Sequence, residues 1–361
     1  MKNLSTLILL TTISFGCTNT QDTSMNPFFT EYGTPYQIPP FEKIKEEHYM
    51  PAFTQGMKEQ LEEIDVITND PESPSFENTI VELERTGETL DKVSDVFFNL
   101  VSSNTNDQMD SIAAEVTPKL SAHSDAISLN KKLFSRVSSV YAQRNDLNLN
   151  TEQMRLVEET YKDFIRSGVQ LDESSMEKLT KINQELSSLS VQFDQNLLKE
   201  TNEGFNLIIE DENQLEGLPD DFRDQAAKLA ESEGLSGKWV FKPTRVSMYP
   251  FLTYSTQRDL REKLYTSYVK RGDNDNENDN KDLAIKMADL RVQRANILGY
   301  DTHADYVLED TMAQNIGRVK NLLDQVWEPG LARAKKESEE MQELIQQEGG
   351  NFKLAAWGWW H

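Results

Sequence analysis

Apolar residues recur every three or four positions along most of the chain, with charged and amide side chains between them, which is the period of helices that bury one stripe. Over residues 79–101 the stripe is Ile80, Leu83, Leu90, Val93, Phe97 and Leu100, and Thr79 with Glu82 has the spacing of a capping box. Gly87 falls on that stripe, where a missing side chain would let a neighbouring helix approach. Residues 176–198 repeat the pattern with Leu179, Ile182, Leu186, Leu189 and Phe193; Ser174 and Glu177 supply a second capping box, and Gly204 a stop. Helical period returns from Tyr254 through Arg261, Leu264 and Tyr268, again over 281–298, and over 315–347, where Pro329 is expected to kink the helix or split it.

Two segments break the rhythm. Residues 205–209 and 239–241 are rich in β-favouring side chains and bounded by turn formers, which predicts a small hairpin-like insert. Residues 26–41, with Pro27, Pro35, Pro39 and Pro40, read as extended chain laid on a surface. The expected fold class is therefore all-α, mainly helical with a small β insert. A soft boundary at 242–249 separates a helical domain, 42–245, from a second one, 246–361.

The first residues follow a different pattern. Lys2 precedes a short apolar run, Leu7, Ile8, Leu9, Leu10 and Ile13, and Gly16 precedes Cys17. This is the outline of an export signal over 1–17, and the position of Cys17, the single cysteine, suggests lipidation of that thiol, with 18–41 as tether and extended segment. The Ser14, Phe15, Gly16 lead-in departs from the usual lipobox, so an unlipidated exported form stays open. Either way the mature chain has no cysteine to pair, and thiol catalysis and cysteine-ligated zinc are excluded. Elsewhere no stretch approaches the roughly 20 apolar residues of a spanning helix, so membrane contact is expected only through an anchor at Cys17. The expected location is the periplasm or a membrane surface of a bacterium.

Acidic residues outnumber basic ones by 61 to 37, and the resulting charge of -24 repels polyphosphate, which argues against nucleic-acid binding. His48, His123, His303 and His361 are far apart, and none has a partner at the spacing of H-E-x-x-H. His48 and His123 read as partly buried, hydrogen-bonded residues of helices, and His303 as a surface or capping residue. The run from Asp273 to Asp279 alternates carboxylates and amides as calcium loops do, but it lacks their sixth-position glycine and closing glutamate, so it reads as a solvated loop. No carboxylate pair stands apart, and no phosphate loop, nucleophile elbow or dinucleotide fingerprint is present. The aromatic pairs Phe97 and Phe98, and Trp357 to Trp360, read as core.

Several blocks resemble the zinc peptidases of the thimet oligopeptidase and oligopeptidase A group, family M3, and among them the bacterial peptidyl-dipeptidases. These are Phe76-Glu-Asn-Thr-Ile80 with Glu84 and Arg85, Val96-Phe-Phe-Asn-Leu100 with Asn104-Thr-Asn106, Pro118-Lys-Leu-Ser-Ala-His-Ser-Asp125 and Tyr249-Pro-Phe-Leu-Thr-Tyr254. The match continues through Arg258 to Tyr268, Arg271-Gly-Asp-Asn274, Ala295-Asn-Ile-Leu-Gly-Tyr300 and Leu308-Glu-Asp-Thr-Met-Ala313. The resemblance covers about 26–360.

It implies an almost wholly helical, two-lobed molecule with a deep channel that admits short unfolded peptides. This chain would supply the N-terminal lobe and the first helices of the catalytic region. The family's zinc sits on both histidines of an H-E-x-x-H helix and a downstream glutamate, with the motif glutamate activating water; these would all lie beyond His361. The implied activity is metallopeptidase cleavage releasing C-terminal dipeptides. The chain itself reads as an N-terminal fragment with no catalytic or metal residue and no activity alone. At its end Trp357-Gly-Trp-Trp-His361 departs from the family's Trp-Asp-Trp-Trp-Tyr at Gly358 and His361. An exported helical peptide-binding module without chemistry is the alternative reading.

Overall fold

The N-terminal proline-rich segment lies on the surface for most of its length, as expected, with Tyr36, Ile38 and Phe41 exposed, but its start enters the core at Phe28. The computed structural model describes residues 26–361; the predicted export signal, Cys17 and the tether up to residue 25 lie outside the described residues. Short 3-10 turns at Pro27–Phe29 and Pro35–Gln37 replace the expected extended run. Asn26 Oδ1 accepts from the Phe28 N–H at 3.1 Å while its Nδ2 donates to His48 O at 2.9 Å, which drives Phe28 to 1% exposure.

Helix α1 (Glu46–Asn69) packs along α3 (Glu88–Ser103) and α4 (Asp107–Ser128), and Phe28, Tyr49, Phe53, Val93, Phe97 and Val116 form their shared core. Phe97 meets Tyr49 edge-on at 4.9 Å and Phe53 at 5.3 Å, the offset geometry that aromatic quadrupoles favour. A second core lies between the far end of α1, α5 (Lys131–Gln143) and α6 (Thr151–Ser167), built on Ile64, Ile80, Leu133, Val137, Val157 and Phe164. The guanidinium of buried Arg136 ties α5 to the end of α1: Nη1 donates to Asp70 O and Glu72 O, and Nη2 pairs with Asp70 Oδ2 at 3.2 Å.

The single helix expected over 79–101 is broken. A π-helical turn, Phe76–Val81, is capped by Ser75 with Asn78 rather than by Thr79 with Glu82, and is followed by the short α2 (Glu82–Arg85). Gly87 then adopts φ +89, a left-handed conformation that ends one helix and starts α3. Its N–H donates to Glu63 Oε2 at 2.8 Å. Helix α1 does approach closely at Gly87, as expected, where an added Cβ would lie 2.5 Å from Gln60 Nε2; a second close approach, backbone to backbone, occurs at Gly56.

Helix α7 (Glu173–Asn202) buries Leu179, Ile182, Leu186 and Leu189 as its stripe predicts, and stops just before Gly204. Its N-cap is Asp172, whose side chain accepts from Ser175 N–H, and not Ser174. It runs along α4 on one side and α11 (Lys281–Ile297) on the other. Strands β1 (Leu207–Ile209) and β2 (Trp239–Phe241) pair antiparallel, Leu207 opposite Phe241, with α8 (Asp220–Ser232) in the connection. With α9 (Arg245–Tyr254) and α10 (Arg258–Val269) they enclose a third core that includes Leu215, Phe241, Phe251 and Leu264. The all-α class with a small β insert is what the structure has.

After α12 (His303–Leu308), α13 (Ile316–Gln347) runs unbroken through Pro329, which neither splits it nor ends it. Proline removes one donor, and a helix of 32 residues retains enough of its remaining ladder to continue. No residue of α13 is buried, and Leu322, Leu323, Val326 and Trp327 are each about three-fifths exposed.

Candidate functional site

Zinc needs convergent donors, and the described histidines diverge. His48 Nδ1 accepts from the Lys45 N–H at 3.0 Å at the start of α1. His123 is buried in α4 with Nε2 2.7 Å from Gln60 Oε1, and burial pushes its imidazole below the usual histidine range. Both are hydrogen-bonded residues within helices, as expected. His303 opens α12 against Tyr306, at 6.5 Å, and burial first, then Arg294 and Arg291, hold its pKa down. His361 is likewise lowered by burial and by Arg261.

Among the described residues one group brings three ligand-type atoms within 4.8 Å of one another: Glu159 and Asp163 of α6 with Asp310. It has no histidine, and Lys162 already pairs with Glu159 and, at 2.6 Å, with Asp310. These residues do not fit the two-histidine, one-glutamate zinc set that the resemblance implies.

The acidic loop 273–279 carries its own cation. Lys281 Nζ lies 2.6 Å from Asp273, 2.8 Å from Asp275 and 2.8 Å from Asp279. The ammonium hydrogen bond holds the Asp279 carboxyl down to about 2, and the three carboxylates raise the Lys281 pKa. Asn274 and Asn276 turn inward to donate to buried Glu200 of α7. The loop reads as a closed structural turn.

One binding arrangement lies between α10, α13 and the C-terminal turn Ala356–Gly358. Its residues line a cavity of about 290 Å³. Arg258 stands over the rings of Phe352, at 4.7 Å, and Trp357, at 5.5 Å, a cation–π arrangement that holds the guanidinium against the wall. Arg261 is buried; its Nη1 donates to Ser255 O, and desolvation followed by the neighbouring Arg258 lowers its pKa. Arg261 Nε and Trp357 Nε1 are buried donors without an acceptor. A ligand carbonyl or carboxylate would satisfy them, and the aromatic faces would take an apolar side chain.

The sequence reading nominated no catalytic or metal residue, and its one site residue, Cys17, lies outside the described residues. It missed the Arg258, Arg261 and Trp357 arrangement. Both arginines fall in a block already singled out, but their aromatic partners lie far along the chain, and only the fold joins them. Trp357 packs against the third core as expected, whereas Trp359 and Trp360 are exposed, Trp360 at 4.9 Å from Tyr249. Phe97 is core, while Phe98 is partly exposed.

The sequence model of Peptidase family M3 matches residues 251–361, the part that holds this cavity. Over 93% of its length the chain is 33% identical to a dipeptidyl carboxypeptidase of Escherichia coli and 32% identical to one of Salmonella typhimurium, covering 49% of each. It is 30% identical to an oligopeptidase A of Haemophilus influenzae over 89% of this chain and 47% of that protein. The chain spans about half the length of the curated relatives it matches.

Proposed function

The chain belongs to peptidase family M3, and from that premise we propose that the whole protein is a zinc-dependent peptidase that removes dipeptides from the C-termini of short unfolded peptides. The observation that carries this reading is the 33% identity to a dipeptidyl carboxypeptidase sustained over 93% of the chain. The 361 residues supply helical wall in this reading, and the arginine–aromatic cavity is a place where peptide carbonyls or a carboxylate would dock. Because no H-E-x-x-H occurs in the sequence, the 361-residue chain by itself is expected neither to hold stoichiometric zinc nor to cleave peptides.

The test is a peptidase assay of the natural protein on an N-blocked tetrapeptide. Release of the C-terminal dipeptide, abolished by a chelator and restored by zinc, is the expected result. Natural protein that lacks metal-dependent cleavage would overturn the proposal, and so would the 361-residue chain if it hydrolysed the peptide unaided.

We also propose export with a lipid on Cys17, supported by the charged, apolar and small-residue order before it. Metabolic labelling with a radioactive fatty acid should mark the wild-type protein and leave a Cys17→Ser variant unlabelled; an unlabelled wild type would refute the anchor.

A further inference from the structure

A second cavity, of about 430 Å³, opens between α4, α7 and α11 and is the more polar of the two. Six serines line it, together with Asp125, Asn183, Arg291, Arg294 and Tyr306. Asp125 belongs to α4 and Asn183 to α7; the Asn183 amide donates to both Asp125 oxygens, at 2.9 and 3.2 Å. That bond fixes the carboxylate at the wall. Burial pushes its pKa up, while Asn183, Thr180 and Arg294 draw it back down.

Among the described residues, neither arginine opposite is hydrogen-bonded to an anion, although Arg294 lies near enough to Asp125 to lower its pKa. The Arg294 guanidinium stands over Tyr306 at 5.5 Å, sharing that ring with Arg166, and its Nε is buried with no acceptor. Neither Arg291 nor Arg294 has an ion pair among the described residues, in a chain with 61 acidic side chains available to make one. Asn183 Oδ1 is also buried and unpartnered. Buried polar groups in native proteins nearly always have partners, so a donor and an acceptor left open on one cavity call for an occupant.

The charges choose its class. A simple anion would meet Asp125, and a simple cation would meet the two guanidiniums; only a molecule carrying both signs satisfies the whole wall. We propose that this cavity binds a small zwitterion of the amino-acid or short-peptide class, its carboxylate on Arg294 and Arg291 and its ammonium on Asp125. The serine hydroxyls and Asn183 Oδ1 take the groups between. This site goes beyond the peptidase reading and does not depend on it.

Calorimetric titration of the 361-residue chain in EDTA tests it apart from any catalysis. L-alanyl-L-alanine should bind saturably, and its N-acetyl and C-terminal amide forms should each bind at least about tenfold more weakly, since each removes one charge-assisted contact. Arg294→Gln and Asp125→Asn should each weaken the free dipeptide by a similar factor. Arg291→Gln, at an exposed position whose loss leaves the fold intact, should do so with an unchanged melting curve. No saturable binding of the dipeptide would overturn the proposal. It would also fall if the blocked forms or inorganic phosphate bound equally well, or if Arg291→Gln and Arg294→Gln bound like the wild type.

Discussion

Gly56 of α1 lies directly against Leu90 of α3: a Cβ at Gly56 would sit 2.8 Å from both the Cα and the backbone N of Leu90. The two helices therefore meet backbone to backbone, and neither atom of Leu90 can move aside as a side chain could. Gly56→Ala should destabilise the protein by about 1–3 kcal/mol, the usual cost of overpacking, despite alanine's better helix propensity. A urea melt checks this; a midpoint equal to or above that of the wild type would disprove the close contact.

Arg136 links α5 to the end of α1 through three hydrogen bonds. Arg136→Met keeps the stem and removes the donors, leaving the Asp70 and Glu72 carbonyls and the Asp70 carboxylate without them. A loss of about 1–3 kcal/mol is expected. Thermal unfolding followed by circular dichroism would read it as a lower midpoint, and an unchanged midpoint would mean that water replaces the guanidinium at no cost.

His123 gives the chain a pH dependence of known sign. Its folded pKa lies below the ordinary 6.5, chiefly through burial, so the folded state favours the neutral ring. The unfolded chain binds the proton more readily, and the stability due to this group is full above pH 6.5 and is lost as pH falls toward the folded pKa. Asp91, Asp125 and Asp163, all raised by burial first, act in the opposite direction at lower pH. The informative quantity is thus the difference between wild type and His123→Gln. Between pH 7 and 5 the wild type should lose more of its melting temperature than the variant, and parallel curves would refute the assignment.

Lys281 controls the titration of the loop it closes. The Asp279 carboxyl, held at about 2 against an ordinary 3.8, should move up toward 3.8 in Lys281→Met, though backbone N–H bonds from Lys281 and Asp275 will keep it somewhat low. The sign follows from the depression: the interaction is fully present above pH 3.8 and disappears as pH falls through about 2. Carboxyl chemical shifts followed by NMR measure this directly. A midpoint near 2 in the variant would place the cause elsewhere.

The exposed stripe of α13 makes a fifth prediction. Leu322, Leu323, Val326 and Trp327 present apolar area to solvent, so the 361-residue chain should bind a hydrophobic dye and self-associate as concentration rises. Changing Val326 and Trp327 to glutamine should reduce both effects while shifting the melting midpoint by little, because neither side chain is buried. Dye binding unaffected by the double change would locate the sticky surface on another element.

The helix stripes were legible in sequence because burial on one face imposes a period that survives any tertiary arrangement: Leu179, Ile182, Leu186 and Leu189 are buried as read, and the two β-rich segments do pair. What the period could not carry was backbone geometry. Gly87 keeps its place on the stripe yet turns the chain, since a left-handed φ leaves no mark on hydrophobic spacing. Pro329 failed to break α13 for the complementary reason, that one missing donor is a local loss within a long ladder. Of the two cavities nothing was read. Arg258 with Trp357, and Asp125 with Arg294, join residues separated by long stretches of chain, and side chains of ordinary type become conspicuous only when the fold leaves them without partners.

The pairing of Leu207 with Phe241 sets a timetable for the chain's own assembly. Neighbouring helices such as α5 and α6 can zip together from short range, whereas this ladder must first draw together the two ends of the segment that carries α8. The region around Phe251 and Leu264 should therefore consolidate after the α5–α6 pair, and a protease acting during refolding should still cut there once that pair has become resistant.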